Sequence, residues 1–327
     1  MSCHRARIED ACDACVAERP SRLWLAGMLA AALTSVATAE PSTTSSFCGA
    51  PGWKVVWRDE FDDATSPLPN PRWWKIEETK YPPGSSNADC RGSDCDLLGS
   101  CRDAACTADN VKVRDGRLVL TSQRQQALGR NYTTGAVNGR DLQTWRASSR
   151  TGPFRLCVSA ILPGASSSKT SQAAAGVWPA HWLMPNDDSC DPDHGEMDVT
   201  EMVDGDGNVY STYHWQDKGA PACAFPNNHS HVYAKTSLGP NWNQTLHEFA
   251  VERGVDHVAF ALDGKVVLNA TRDDPDPARR PVLSDAAWYL ILNTAIGGGW
   301  PGPATRETQF PITHEVDYVR VAHMKAP

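Results

Sequence analysis

Glu196-Met197-Asp198-Val199-Thr200-Glu201 puts three carboxylates into six residues, with Met197 and Val199 between them. The alternation reads as a β-strand with one wet face and one dry face. Glu196 and Asp198 then share a face, while Met197 and Val199 point into a core. Strict alternation would send Glu201 to the core side. One extra residue, a bulge near Val199-Thr200, returns it to the face of the other two acids. Acids rarely turn inward together without a task, and two carboxylates at a set separation are the equipment for cleaving a glycosidic bond. Three ionised carboxylates on one face repel one another, so one keeps its proton. Asp198, in the middle, can hydrogen-bond a neighbour and hold that asymmetry. The competing readings are a solvated acidic strand or a calcium loop. Asp204-Gly205-Asp206-Gly207-Asn208 begins like an EF-hand, but Val209 and Trp215 stand where that loop requires Gly and Glu. His194-Gly195-Glu196 lacks the second His of a metalloprotease helix.

Working outward, the pattern stays β. Val55-Val56-Trp57, Arg117 to Thr121, Phe154 to Leu162, His247 to Glu252, Val258 to Leu262, Trp288 to Leu292 and Val316 to Val321 read as strands. Asp115-Gly116 and Asp263-Gly264 read as hairpin turns. No long segment carries helical periodicity, and there is no tandem repeat. Many short strands predict one all-β sandwich, a jelly roll with a concave face suited to a polymer.

The chain has 327 residues and a formal charge of −8, which argues against nucleic acid as a partner. Its twelve Trp supply flat platforms for sugar rings, core packing accounting for about half of them. Residues 1–39 read as a leader: Arg22 precedes an apolar run from Leu23 to Leu33, and Ala37-Thr38-Ala39 is a small-x-small cleavage site. Cleavage after Ala39 predicts a secreted, extracellular monomer with no membrane span; an uncleaved signal anchor is the alternative. Residues 40–52, rich in Ser, Thr and Pro, read as a linker, and 53–327 as the catalytic domain. Eight Cys follow the leader (Cys48, Cys90, Cys95, Cys101, Cys106, Cys157, Cys190, Cys223), an even number that predicts disulfides of undetermined pairing. Sequons at Asn131, Asn228, Asn243 and Asn269 predict surface positions open to glycosylation.

Five segments in order then carry a resemblance. They are Gly176-Val177-Trp178-Pro179-Ala180-His181-Trp182-Leu183-Met184-Pro185, His194 to Val203, Thr212-Tyr213-His214-Trp215, Leu290 to Gly302 (with Gly297-Gly298-Gly299-Trp300-Pro301-Gly302), and Glu315 to Val321. Together they resemble glycoside hydrolase family 16, especially its laminarinase-like endo-β-1,3-glucanases. The resemblance spans roughly residues 53–323. It implies a concanavalin A-like β-jelly-roll and a retaining mechanism that needs no cofactor. Glu196 would be the nucleophile, Glu201 the general acid/base and Asp198 the assisting carboxylate between them. Trp178 and Trp182 would stack on glucosyl rings, with His214, Asn293 and Trp300 as further cleft residues. Glu60 and Asp317 would form a structural calcium site on the convex side; a surface pair without metal is the alternative. The six-residue Glu-x-Asp-x-x-Glu form resembles the laminarinase, agarase and carrageenase branches, which favours β-1,3-glucan as substrate, with mixed β-1,3/1,4-glucan also accepted.

The chain also departs from that pattern. Residues 84–108 are a Cys-rich insert where an Asn-Asn-Glu-type stretch usually lines one end of the cleft. Ala136 and Ser159 stand where Arg is frequent, and Arg253 where Trp is usual. The rival readings are a transglycosylase that remodels cell-wall glucan, a non-catalytic β-glucan-recognition protein, and a galactan hydrolase. The retained carboxylates weigh against the second, and the Trp178/Trp182 pair against the third.

Overall fold

A computed structural model of the protein describes residues 46–81, 83, 101–164, 171–187, 189–223 and 227–324. The strands run in the order β1 (Trp53–Asp59), β2 (Lys75–Ile76), β3 (Ala105–Cys106), β4 (Val111–Arg114), β5 (Arg117–Ser122) and β6 (Thr133–Thr134). Next come β7 (Ala136–Asn138), β8 (Phe154–Ile161), β9 (Val177–Pro185), β10 (Glu196–Glu201), β11 (Asn208–Gln216) and β12 (His229–Ser237). The last are β13 (His247–Arg253), β14 (His257–Leu262), β15 (Lys265–Thr271), β16 (Trp288–Ile296) and β17 (Ile312–Met324). Every strand expected from the sequence is present. Asp115-Gly116 and Asp263-Gly264 join neighbouring strands with φ of 53° and 71°, and 48° and 77°, the left-handed pairs that two-residue hairpins demand.

Two antiparallel sheets result. One has eight strands in the order β15-β14-β13-β8-β17-β5-β4, with β1 added on β17. The other has seven, in the order β12-β11-β10-β9-β16-β7-β2. Alternation gives each sheet one apolar face, and the two faces meet. Leu156, Val158, Phe249, Val251, Val319 and Val321 of the first pack with Leu183, Met197, Val199, Tyr213, Leu290 and Leu292 of the second. Each such side chain contributes roughly 1.5–3 kcal/mol on burial, so this shared core holds the sheets together as a β-jelly-roll sandwich. It also makes β9, β10, β11 and β16 rigid from behind, and leaves their other face to carry polar groups.

Residues 46–52, expected within a linker, are part of the fold. Phe47–Gly49 forms a 3-10 turn. Phe47 and Cys48 are buried against Trp53, Cys157 and Ala250 on the outside of the eight-stranded sheet. Cys48 is bonded to Cys157, 109 residues away. Arg155 stacks its guanidinium over Phe47 and Trp53 at 3.7 and 4.0 Å. Cys101–Cys106 and Cys190–Cys223 are the other disulfides among the described residues. Cys90, Cys95 and residues 1–45 lie outside them. Asn131, Asn228 and Asn269 are exposed and Asn243 is half-buried. No helix among the described residues is long and apolar enough to cross a membrane.

Candidate active site

The bulge expected in β10 is there. Toward β9, Asp198 pairs with Trp182 and Thr200 with His181, the register shifting between them. Toward β11, Asp198 pairs with Thr212 and Glu201 with Tyr210, again across a shift. Met197 and Val199 sit in the shared core, and Ser211 donates its hydroxyl to the Val199 carbonyl at 2.9 Å. Glu196, Asp198 and Glu201 are thereby left together on the outer face of the seven-stranded sheet.

Each carboxylate has a distinct neighbour. Trp178, on β9, donates its indole N–H to Glu201 Oε1 at 2.9 Å. His214 Nε2 stands 3.2 Å from Asp198 Oδ2, and one oxygen each of Glu196 and Asp198 and one ring nitrogen of His214 all lie within 4.8 Å of one another. Glu196 hydrogen-bonds the carboxyl of Asp191, in the turn before the strand. Trp182 donates its indole N–H to Asn293 Oδ1 at 2.7 Å. Trp300 meets Trp178 edge-on at 5.6 Å and Tyr210 at 4.9 Å. Gly298 permits this approach: its φ is 121°, and a Cβ there would press to 3.3 Å from the Trp178 ring. The predicted residues Trp178, Trp182, Glu196, Asp198, Glu201, His214, Asn293 and Trp300 therefore form one continuous surface.

Burial and mutual charge act on both glutamates. Desolvation raises the Glu201 pKa well above the ordinary carboxyl range, and the charge of Asp198 adds to it. Glu196 is raised by desolvation first, then by the charges of Asp191 and Asp198. Burial opposes the imidazolium of His214, but the hydrogen bond and charge of Asp198, with Asp191 beyond, overcome it and raise its pKa. Burial and mutual repulsion thus shift both glutamates in the same direction, toward holding a proton.

A raised carboxyl binds more protons folded than unfolded. Its stabilising contribution is full below the unfolded value, about 4.3 for Glu, and is lost as pH rises through the folded one. Glu196→Gln and Glu201→Gln should therefore each raise the melting temperature at pH 7 by on the order of 2–4 °C, an advantage that disappears near pH 4. Equal gains at both pH values would contradict the assignment of these shifts.

Glu60 and Asp317 do not fit the calcium site that the resemblance implies. Glu60 accepts from Arg320 Nε at 2.9 Å and Nη2 at 2.8 Å, so a guanidinium takes both carboxylate oxygens. Asp317 accepts from the Ser159 hydroxyl at 3.3 Å. Among the described residues, the metal-capable groupings of His, Cys and acids include neither. Arg253, in place of the usual Trp, is buried and donates to the carbonyls of Gly254 and Ser284. The described end of the Cys-rich insert is packed down: Cys101 joins Trp182 against Met184, Tyr289 and Ile291.

Sequence reasoning missed Asp191 and Tyr210, and also His229 and His231, each of which places a ring nitrogen within 4.8 Å of one of His214. The spacing His229-x-His231 on a strand places both on one face, a signal that could have been read. Asp191 lies in a turn, where no periodicity indicates direction.

Paired acids on a rigid β face, flanked by indoles and with raised carboxyl pKa values, define an O-glycosyl hydrolase. The chain belongs to glycosyl hydrolases family 16, whose family model matches residues 107–320. It is 26% identical over 285 residues to a beta-glucanase of Rhodothermus marinus, covering 83% of this chain and 86% of that one. It is 27% identical over 287 residues to glucan endo-1,3-beta-glucosidase A1 of Niallia circulans, of which it spans 38%. The fold superposes on the laminarinase catalytic domain from Thermotoga maritima with a TM-score of 0.66 at 25% identity, covering 84% of this chain and 99% of that one.

Proposed function

We propose that the protein hydrolyses β-glucan, cutting internal β-1,3 linkages and accepting mixed β-1,3/1,4 chains, by double displacement with retention. The observation that carries this reading is the bulge, which returns Glu201 to the face of Glu196 and Asp198. Protonated Glu201, oriented by the Trp178 indole, gives its proton to the glycosidic oxygen as Glu196 attacks the anomeric carbon. Attack requires the proton shared by Asp191 and Glu196 to rest on Asp191, leaving Glu196 ionised. Glu201, now a carboxylate, deprotonates the incoming water, which releases the sugar from Glu196. Asp198 stands between the two glutamates, paired with His214 at 3.2 Å. The β-glucan specificity is supported by the relatives named above and by the indoles of Trp178, Trp182 and Trp300, flat apolar surfaces that match glucosyl rings. The disulfides and the apolar leader support secretion; recovery of activity from cell pellet alone would oppose it.

The test is reducing-sugar release from a polysaccharide panel. Laminarin should be cut fastest, mixed-linkage glucan next, and agarose, carrageenan and xyloglucan hardly at all. Tight laminarin binding without release would overturn the reading, and products longer than the substrate would point to glycosyl transfer. Asp198→Asn should lower kcat by about 10–100-fold, because His214 loses its charged partner, while laminarin binding changes little. Lost binding with preserved kcat would assign Asp198 to the substrate instead.

A further inference from the structure

Three imidazoles gather beside the carboxylates: His214, which pairs with Asp198, and two that the reaction does not use, His229 and His231. His229 and His231 alternate along β12 and so share a face. His214, on β11, is directly opposite His231. The rings are 5.3 Å apart for His214 and His231, 5.9 Å for His214 and His229, and 6.2 Å for His229 and His231. One nitrogen from each lies within 4.8 Å of the other two. His231 is exposed, and the other two are half-buried.

We propose that His214, His229 and His231 form a binding site for a divalent first-row transition-metal ion, with zinc as the reference occupant. Imidazole is a preferred ligand for zinc, copper and nickel, and three imidazoles with a fourth open position are a recurring zinc arrangement. A tetrahedral ion with Zn–N bonds of 2.0–2.1 Å sets its nitrogens about 3.3 Å apart. The three nitrogens already lie within 4.8 Å of one another, and side-chain rotation must close the remaining distance. Asp198 already holds His214 at 3.2 Å, and a carboxylate bonded to a ligating imidazole is the usual support for such a site. Hard cations such as calcium prefer oxygen ligands and are not expected here. The same His214 serves both the acid pair and the metal, so occupancy would couple to Asp198. The metal site does not depend on which glycan the protein cuts.

The experiment is calorimetric titration of the purified full chain with zinc, paired with cobalt titration followed by visible absorption. One zinc should bind per chain in the micromolar range or tighter, with cobalt giving the intense bands of a low-coordinate ion. His231→Gln and the double variant His229→Gln/His231→Gln should weaken zinc by about 10–100-fold, with circular dichroism confirming an intact fold. His194→Gln, a histidine outside the trio, should bind zinc like the wild type. Absence of zinc binding, or binding undiminished in the double variant, would overturn the proposal. Neither result bears on hydrolysis, which the polysaccharide panel tests separately.

Discussion

Glu201→Gln is expected to slow hydrolysis of laminarin by about 10²–10⁴-fold, while a glucoside with an activated aryl leaving group loses far less in its first step. The reason is chemical. A sugar alkoxide is a poor leaving group and needs the proton that Glu201 holds, whereas an activated phenolate departs without it. Desolvation keeps that proton on Glu201 to unusually high pH. Activity of the wild type on laminarin should therefore fall as pH rises through the raised Glu201 pKa, since the deprotonated form cannot act as acid. With the aryl substrate, the Gln variant should lose that alkaline limb because no proton remains to be titrated. The measurement is kcat/KM against pH for both substrates and both proteins. Equal losses on the two substrates would remove Glu201 from the acid role.

Glu196→Ala is expected to lower activity further, by on the order of 10⁴-fold or more, because the carboxylate assigned to form the glycosyl-enzyme is gone. The void left by the carboxylate gives the variant a distinctive signature. Azide, a small anionic nucleophile, can enter it and attack the anomeric carbon directly. One displacement then replaces two, so the product would be a glycosyl azide of inverted, α configuration. Product analysis by NMR reads both the rescue and the stereochemistry. A β-configured azide, or an undiminished rate in the absence of azide, would place the nucleophile elsewhere. The Gln variant at the same position separates charge from volume: it fills the space and should show no rescue.

Most of the fold was legible because two-residue periodicity is a direct imprint of a sheet with one dry face. Phe154 to Leu162 and His247 to Glu252 announced themselves in this way and lie side by side in the structure. The carboxylates were legible for the same reason, since only a bulge reconciles three acids with one wet face. The rest depended on encounters between distant residues. Residues 46–52 have the composition of a linker, and nothing local says that Cys48 reaches Cys157. Glu60 and Asp317 were paired by resemblance, but in the fold Glu60 pairs with Arg320 at 2.8 Å, a contact that no local pattern announces. Asp191 became visible only when its turn was folded back against Glu196.

The bulge has a second side. Above the sheet, β10 displays three acids, as many as an unbulged five-residue strand would. Below it lie Met197, Val199 and Thr200, all sealed from solvent, one more than such a strand could hold. Thr200 stands opposite His181, whose ring packs on Phe249 of the facing sheet and stacks on His314 at 5.0 Å. The sixth residue is thus an addition to the interior volume rather than to the chemistry. Shortening the strand by one would leave the acids aligned and hollow out the space beneath them. Whatever separates the two strand lengths in function must then travel upward, from how the floor is supported to how the substrate lies upon it.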